Sequence, residues 1–218
     1  MRRSTKIFDD ISSTYDSWYL QPKGKQVFDA ERRALATLIP EDGVGLEIGG
    51  GTGIFTSSLT SLNRTVISLD ISSGMLVSSM KRGVPSILGS AYDLPIRENC
   101  MDFTYMVTVI EFMEEPSRAL IESKRILKRG CCLVILFINR ESSWGEYYLK
   151  LGETGNSVFR TAHLYDSDMV ESFLKSSNLK VLEVVGTLTT GPTDLDPGDD
   201  ITIPSKKTGV ILLKAVKI

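Results

Sequence analysis

Apolar positions along the chain fall into two spacings. Short continuous runs read as buried strands. Longer segments repeat every three or four residues, as helices with one buried face do. From Lys25, Val27, Phe28, Leu35, Leu38 and Ile39 recur at helical spacing, and Pro40 stops that helix. A strand over Val44 to Ile48 then runs into glycines, and a helix over Gly53 to Leu62 turns Phe55, Leu59 and Leu62 to one side. The second strand, Thr65 to Leu69, is closed by Asp70. A helix over Ser72 to Lys81 follows, with Gly83 placed for a left-handed C-cap. A short strand around Ser86 to Leu88 and a longer one over Met101 to Val109 come next. Pro116 suits the first turn of a helix with Ala119, Leu120, Ile126 and Leu127 inward, closed by Gly130. The unbroken run Cys131 to Ile138 is the pattern of a strand covered on both faces in the middle of a parallel sheet. Asp166 or Ser167 caps a helix with Met169, Val170, Phe173 and Leu174 inward, and Asn178 ends it. Lys180 to Leu188 and Thr208 to Val216 are the last strands, joined by a long loop rich in Pro, Gly and Asp.

Two stretches lack a clean period. The chain up to Pro22 is aromatic and irregular, with Phe8, Tyr15, Trp18 and Tyr19, and residues 1–24 are expected to form an arm or lid. Residues 140–164 carry Trp144, Tyr147, Tyr148 and Phe159 and read as an irregular insertion near the substrate side. Strands alternating with helices predict an α/β fold in one domain over 1–218. Its core is a doubly wound, mostly parallel seven-stranded sheet with an antiparallel C-terminal edge hairpin.

Composition narrows the function. The 218 residues are 42% hydrophobic and 24% charged with a net charge of -2, ordinary for a globular chain and without the basic excess of a phosphate-neutralising protein. No nucleic-acid partner is expected. The longest apolar run is far short of a membrane span, and MRRSTKIFDD lacks the apolar stretch of a secretory signal. Three cysteines make no disulfide framework, so a reduced, cytoplasmic setting is expected. Cys131 and Cys132 are adjacent in a strand, point to opposite faces and read as core thiols. Asp194, Asp196, Asp199 and Asp200 lack the glycine and terminal glutamate of a calcium loop, and no metal is expected.

The most informative stretch is GLEIGGGTGIFT, residues 45 to 56, which ends a strand and opens a helix. Gly49, Gly51 and Gly53 permit a sharp turn and a close approach of backbone to ligand, beside the free N–H groups of a helix start. A dinucleotide fingerprint would need glycine at position 54, where the chain has Ile54. Asp70 ends the next strand, where a carboxylate can accept both hydroxyls of a ribose; it could instead cap the helix at Ser72.

With these residues the chain resembles the class I S-adenosylmethionine-dependent methyltransferases. Within them it is similar to the small-molecule group related to the quinone-biosynthesis C-methyltransferases. The resemblance spans residues 8 to 185 and rests on E-I-G-G-G-T-G at 47–53, S-L-D-I-S at 68–72 and G-S-A-Y-D-L-P at 89–95. M-D-F-T-Y at 101–105 and R-I-L-K-R-G at 125–130 complete it. The resemblance implies a Rossmann-like fold and S-adenosylmethionine as cofactor. It implies Glu47 near the methionine ammonium, Gly49, Gly51 and Gly53 under the methionyl and ribose parts, and Asp70 on the ribose. Ile71 would pack on adenine, Ser90 and Ala91 would meet its edge, and the backbone of Val107 and Thr108 would face the cofactor. Ser90 stands where the family commonly has Asp, and Arg129-Gly130-Cys131 where it often has Pro-Gly-Gly.

The Y-D-S-W-Y stretch resembles the family's N-terminal lid, which puts Tyr19, and on the acceptor side Tyr15, near the sulfonium. Candidate acceptor contacts are Tyr15, Glu111, Phe112, Trp144, Tyr147 and His163, with Phe159 in the same aromatic set. No catalytic dyad is expected, because methyl transfer from an activated sulfonium needs mainly alignment and exclusion of water. The expected function is methyl transfer to a small hydrophobic or aromatic molecule, in a pocket closed by the N-terminal arm. The competing readings are an NAD-dependent oxidoreductase and a non-catalytic S-adenosylmethionine-binding protein.

Overall fold

The structure, a computed structural model, describes residues 2–218; of the expected arm 1–24, Met1 lies outside the described residues. Seven strands form one sheet: β1 (Gly43–Ile48), β2 (Arg64–Asp70), β3 (Ser86–Leu88), β4 (Met101–Val107), β5 (Leu127–Ile138), β6 (Leu179–Thr187) and β7 (Val210–Lys217). Their spatial order is β3-β2-β1-β4-β5-β7-β6. β1 to β5 pair in parallel, and β7 alone runs against its neighbours, inserted between β5 and β6. The helices are α1 (Arg2–Ile11), α2 (Pro22–Leu38), α3 (Ile54–Leu59), α4 (Ser73–Lys81), α5 (Pro116–Ile126), α6 (Ser143–Glu153) and α7 (Ser167–Ser176). No helix among the described residues is long and apolar enough to cross a membrane.

Two apolar layers cover the sheet. One joins Leu46, Ile48, Leu133, Ile135 and Phe137 to α5 and α7; the other joins Val66, Phe103, Tyr105, Val134 and Leu136 to α2 and α3. Alternate residues of β5 thus enter opposite layers, as its apolar run requires. Sequence punctuation works as expected at several ends. Pro116 opens α5, Gly83 follows α4 at φ +76°, and Asn178 follows α7 at φ +55°.

Three expectations are corrected. Residues 2–11 are helical, not irregular: α1 lays Phe8 and Ile11 against the sheet's carboxyl edge, while the Asp9 carboxylate takes the Ser72 hydroxyl (2.6 Å) and the Gly74 N–H (2.9 Å). The segment 140–164 holds α6, N-capped by the Ser142 hydroxyl on the Gly145 N–H (3.0 Å), and a 3-10 turn over Phe159–Thr161. The α5 helix stops at Ile126, and Gly130 lies instead within an irregular stretch of β5, between the pairings Met101 with Leu127 and Phe103 with Cys132. Cys131, at that irregularity, is only half-buried, whereas Cys132 is a core thiol.

Candidate functional site

The parallel strands end on one side in loops, and there the glycine stretch turns. Gly49 and Gly51 adopt φ +73° and +54°, conformations that cost other residues roughly 1–2 kcal/mol each. A Cβ on Gly51 would meet no atom within 4 Å, because that side of the backbone faces an open cleft. Asp70, at the end of β2, fastens the loop: its Oδ2 takes the Gly51 N–H and its Oδ1 the Ser72 N–H, both at 2.8 Å. The helix cap itself is Ser72, whose hydroxyl accepts from the Met75 N–H. Burial, acting against those two N–H groups, pushes the Asp70 carboxyl up.

The cleft has a volume of about 140 Å³. Gly49, Gly51, Asp70, Ile71, Ser90, Ala91 and Val107 line it, with Phe8 and Tyr15 from the arm and Val109, Phe112 and Met113 beyond β4. Most of the residues assigned to the cofactor from sequence therefore converge on one cavity. The others are placed differently. Gly53 starts α3 at φ +75° and packs on Ser79. The Glu47 carboxyl is buried beneath the loop, taking the Thr56 hydroxyl and the Tyr105 hydroxyl (3.1 Å). Desolvation there outweighs those bonds and pushes it up to about 7. Tyr19 lies outside this cleft: the 3-10 turn Tyr15–Ser17 folds Tyr15 over it and sends Tyr19 back onto Phe28 and Phe55.

A second cavity, of about 370 Å³, opens beside the first. Phe8, Tyr15, Thr108 and Phe112 line both, so they form the boundary at which the two adjoin. Phe8 and Phe112 meet edge to face at 5.2 Å. Thr108 holds φ +47°, a genuine departure for a β-branched residue, and its N–H donates to the Leu136 carbonyl (2.9 Å). Leu188, on the second cavity's wall, holds φ +59°. Non-glycine residues of this kind cluster where surrounding structure fixes a working surface.

Among the expected acceptor contacts, Tyr15, Phe112, Tyr147 and Phe159 line the second cavity, and Tyr19 joins them. Trp144 does not: on the inner side of α6 it is 2% exposed and gives its indole N–H to the Thr190 carbonyl (2.8 Å). Tyr148, one helical turn on, takes its place and stacks on Phe159 at 4.3 Å. His163 is exposed and lines neither cavity; its backbone N–H donates to the Glu111 carbonyl (2.7 Å). Glu111 is fully buried behind the wall, its Oε1 accepting from the Ile138 N–H (2.9 Å), and desolvation pushes it up to about 7. Sequence reasoning did not assign Phe8, Tyr148 or Glu31 to a site, and it placed Thr108 by its backbone at the cofactor. Phe8, Tyr148 and Glu31 sit on helices whose contact with the cavity depends on how the arm and α6 fold back. Thr108 carries no sequence signal of its left-handed turn.

The arm is tied to this site by polar contacts. Asp16 accepts from the Thr52 hydroxyl (2.7 Å) in the glycine loop and pairs with Arg82, whose Nε–H donates to the Thr52 carbonyl (3.0 Å).

Comparison with known proteins agrees with this geometry. Residues 46–135 match the family model described as "Methyltransferase domain". The chain is 30% identical over 214 residues to an uncharacterized protein of Methanocaldococcus jannaschii, covering 97% of this chain and 99% of that one. It superposes with a TM-score of 0.89 on the crystal structure of a SAM-dependent methyltransferase of Thermotoga maritima, described as a possible histamine N-methyltransferase. The two are 29% identical, over 99% of this chain and 100% of that one. A demethylmenaquinone methyltransferase of Corynebacterium kroppenstedtii is 25% identical over 135 residues, 62% of this chain and 59% of that one. The glycine cradle, open where a side chain would intrude, the strand-end carboxylate beside it and these relatives agree: the chain belongs to the class I S-adenosylmethionine-dependent methyltransferases.

Proposed function

We propose that the chain transfers the methyl group of S-adenosylmethionine to a small molecule with an apolar or aromatic body, held in the second cavity. The observation that carries this reading is the pair of cavities meeting at Phe8, Tyr15, Thr108 and Phe112. The cofactor supplies a methyl group already activated on positively charged sulfur. In this reading Gly49 and Gly51 let the backbone approach it, the Asp70 carboxylate takes ribose hydroxyls, and Ile71 and Ala91 cover the adenine. Phe8, Tyr15 and Phe112 shield the transfer path from water, and the aromatic faces of Tyr15 and Phe112 favour positive charge there by roughly 0.5–2 kcal/mol.

Residues 1–24 act as the lid, since α1 and the 3-10 turn roof both cavities. Residues 140–164 supply the acceptor wall through Tyr147, Tyr148 and Phe159, all within one catalytic unit. No Lys or Arg lines either cavity among the described residues, which disfavours a polyanionic acceptor. The relatives described as a possible histamine N-methyltransferase and a demethylmenaquinone methyltransferase also point to small molecules. Incubation with methyl-labelled S-adenosylmethionine and a metabolite extract tests the reading. Label is expected in a low-molecular-mass product. Label confined to protein or nucleic acid would contradict it.

A further inference from the structure

The wall of the second cavity is chemically uneven. Among the described residues, the formally charged one that lines it is Glu31 of α2, only 6% exposed. Its carboxyl accepts no hydrogen bond and has no ion-pair partner among the described residues. Tyr15 and Tyr19 of the arm and Tyr148 of α6 lie close enough to feel its charge, and Trp18 and Phe159 extend the aromatic wall. Glu111, buried behind the wall, adds a second acidic group within electrostatic reach. Among the described residues, no Lys, Arg or His lines this cavity.

A carboxylate this buried, with neither a hydrogen bond nor an ion pair, is stabilised by a guest that pairs with it. Aromatic faces and a carboxylate favour the same guest, a cation. We propose that Glu31 is a specificity-determining residue that pairs with a positively charged nitrogen on an acceptor whose remaining body is apolar. This rests on the second cavity being the acceptor site. A protonated amine paired with Glu31 has no free electron pair, so that nitrogen is an anchor. The methyl-accepting atom lies elsewhere on the same molecule, toward the boundary at Phe8 and Phe112.

The electrostatics of the cavity agree. Burial, and then the neighbouring Glu111, push the Glu31 carboxyl up to about 8. The titratable groups facing it, Tyr15, Tyr19, Tyr148 and Glu111, include no cation that could bring it down. Arrival of an ammonium at pH 7 therefore displaces a proton from Glu31.

Calorimetry on the full chain saturated with S-adenosylhomocysteine tests this. The probes are 2-phenylethylamine and tryptamine, the matching alcohols 2-phenylethanol and tryptophol, and the acids 3-phenylpropionate and indole-3-propionate. One charge-assisted contact predicts that the amines bind about tenfold or more tighter than the alcohols, with the acids weakest. Amine binding is expected to release close to one proton at pH 7, read from the dependence of the heat on buffer. Glu31→Gln is expected to abolish both the amine preference and the proton release, while S-adenosylhomocysteine binding reports that the variant is folded. Alcohols binding as well as amines would overturn the cation pairing and leave the acceptor cavity standing. An amine preference that survives in Glu31→Gln would also overturn it. Failure of all six probes to bind the cofactor-loaded chain would remove both readings.

Discussion

Asp70→Ala is expected to weaken S-adenosylmethionine binding by about tenfold or more, because a ribose-binding carboxylate contributes charge-assisted bonds worth roughly 1.5–3 kcal/mol each. Asp70 lines the cleft beside the glycine loop, and both its oxygens already accept backbone N–H groups, from Gly51 and Ser72. Those bonds fix the direction of the carboxylate and leave it lone pairs for hydroxyl donors. The same bonds mean that alanine removes an internal fastener of the glycine loop. The ligand-free melting temperature is therefore expected to fall as well, since two N–H groups lose their acceptor. Asp70→Asn keeps an acceptor for one of them, so it separates the two effects: the loss of melting temperature shrinks while the loss of affinity persists. Calorimetric titration with S-adenosylhomocysteine beside thermal unfolding without ligand reads both. An affinity within twofold of the parent chain in both variants would show that Asp70 serves only the loop.

The glycine loop offers the second large effect, as a contrast between two positions with similar backbone angles. At Gly49, φ is +73° and a Cβ would intrude on Val109, within 2.7 Å of its Cγ1. Left-handed strain and overpacking both act there, so Gly49→Ala is expected to destabilise the fold by roughly 2–4 kcal/mol. At Gly51, φ is +54° but the Cβ would project into open space. Only the strain acts on the fold, about 1–2 kcal/mol. The added methyl occupies the cleft instead, so Gly51→Ala is expected to lose cofactor binding out of proportion to stability. Denaturant unfolding and cofactor titration of both variants check the contrast. Equal losses of stability at the two positions, with cofactor affinity untouched at Gly51, would contradict it.

The sheet was legible because its strands are apolar on both faces and its turns carry Gly, Pro, Asp or Asn at the positions that need them. The two segments that wall the second cavity were not. In α6 the inward residues Trp144, Tyr148 and Leu151 do have helical spacing, but Gly145 and Gly152 dilute the pattern. Those glycines allow close backbone contact: a Cβ on Gly145 would lie 2.7 Å from the Arg140 carbonyl oxygen, and one on Gly152 at 2.7 Å from that of Phe159. Tertiary fit thus overrides helix propensity. Trp144 shows the same limit. Residue type suggests a pocket wall, but the face of α6 on which it lies is decided by packing against Leu188 and the start of β7. Glu31 was hidden for the opposite reason. In sequence it is one charge within a polar and apolar helix, and only the fold brings Tyr15, Tyr19 and Tyr148 around it. Most of the residues assigned to the cofactor share one cleft because its lining comes from strand ends close to sequence motifs; Tyr19 lies outside it because the short turn at Tyr15–Ser17 reverses the chain.

A crystal structure of the chain with S-adenosylhomocysteine tests the two-chamber arrangement most directly. The sulfur is expected at the boundary formed by Phe8, Tyr15, Thr108 and Phe112, facing the second cavity, with the adenosine against Asp70, Ile71 and Ala91. A sulfur turned away from that boundary, or a closed wall between it and Glu31, would contradict the account.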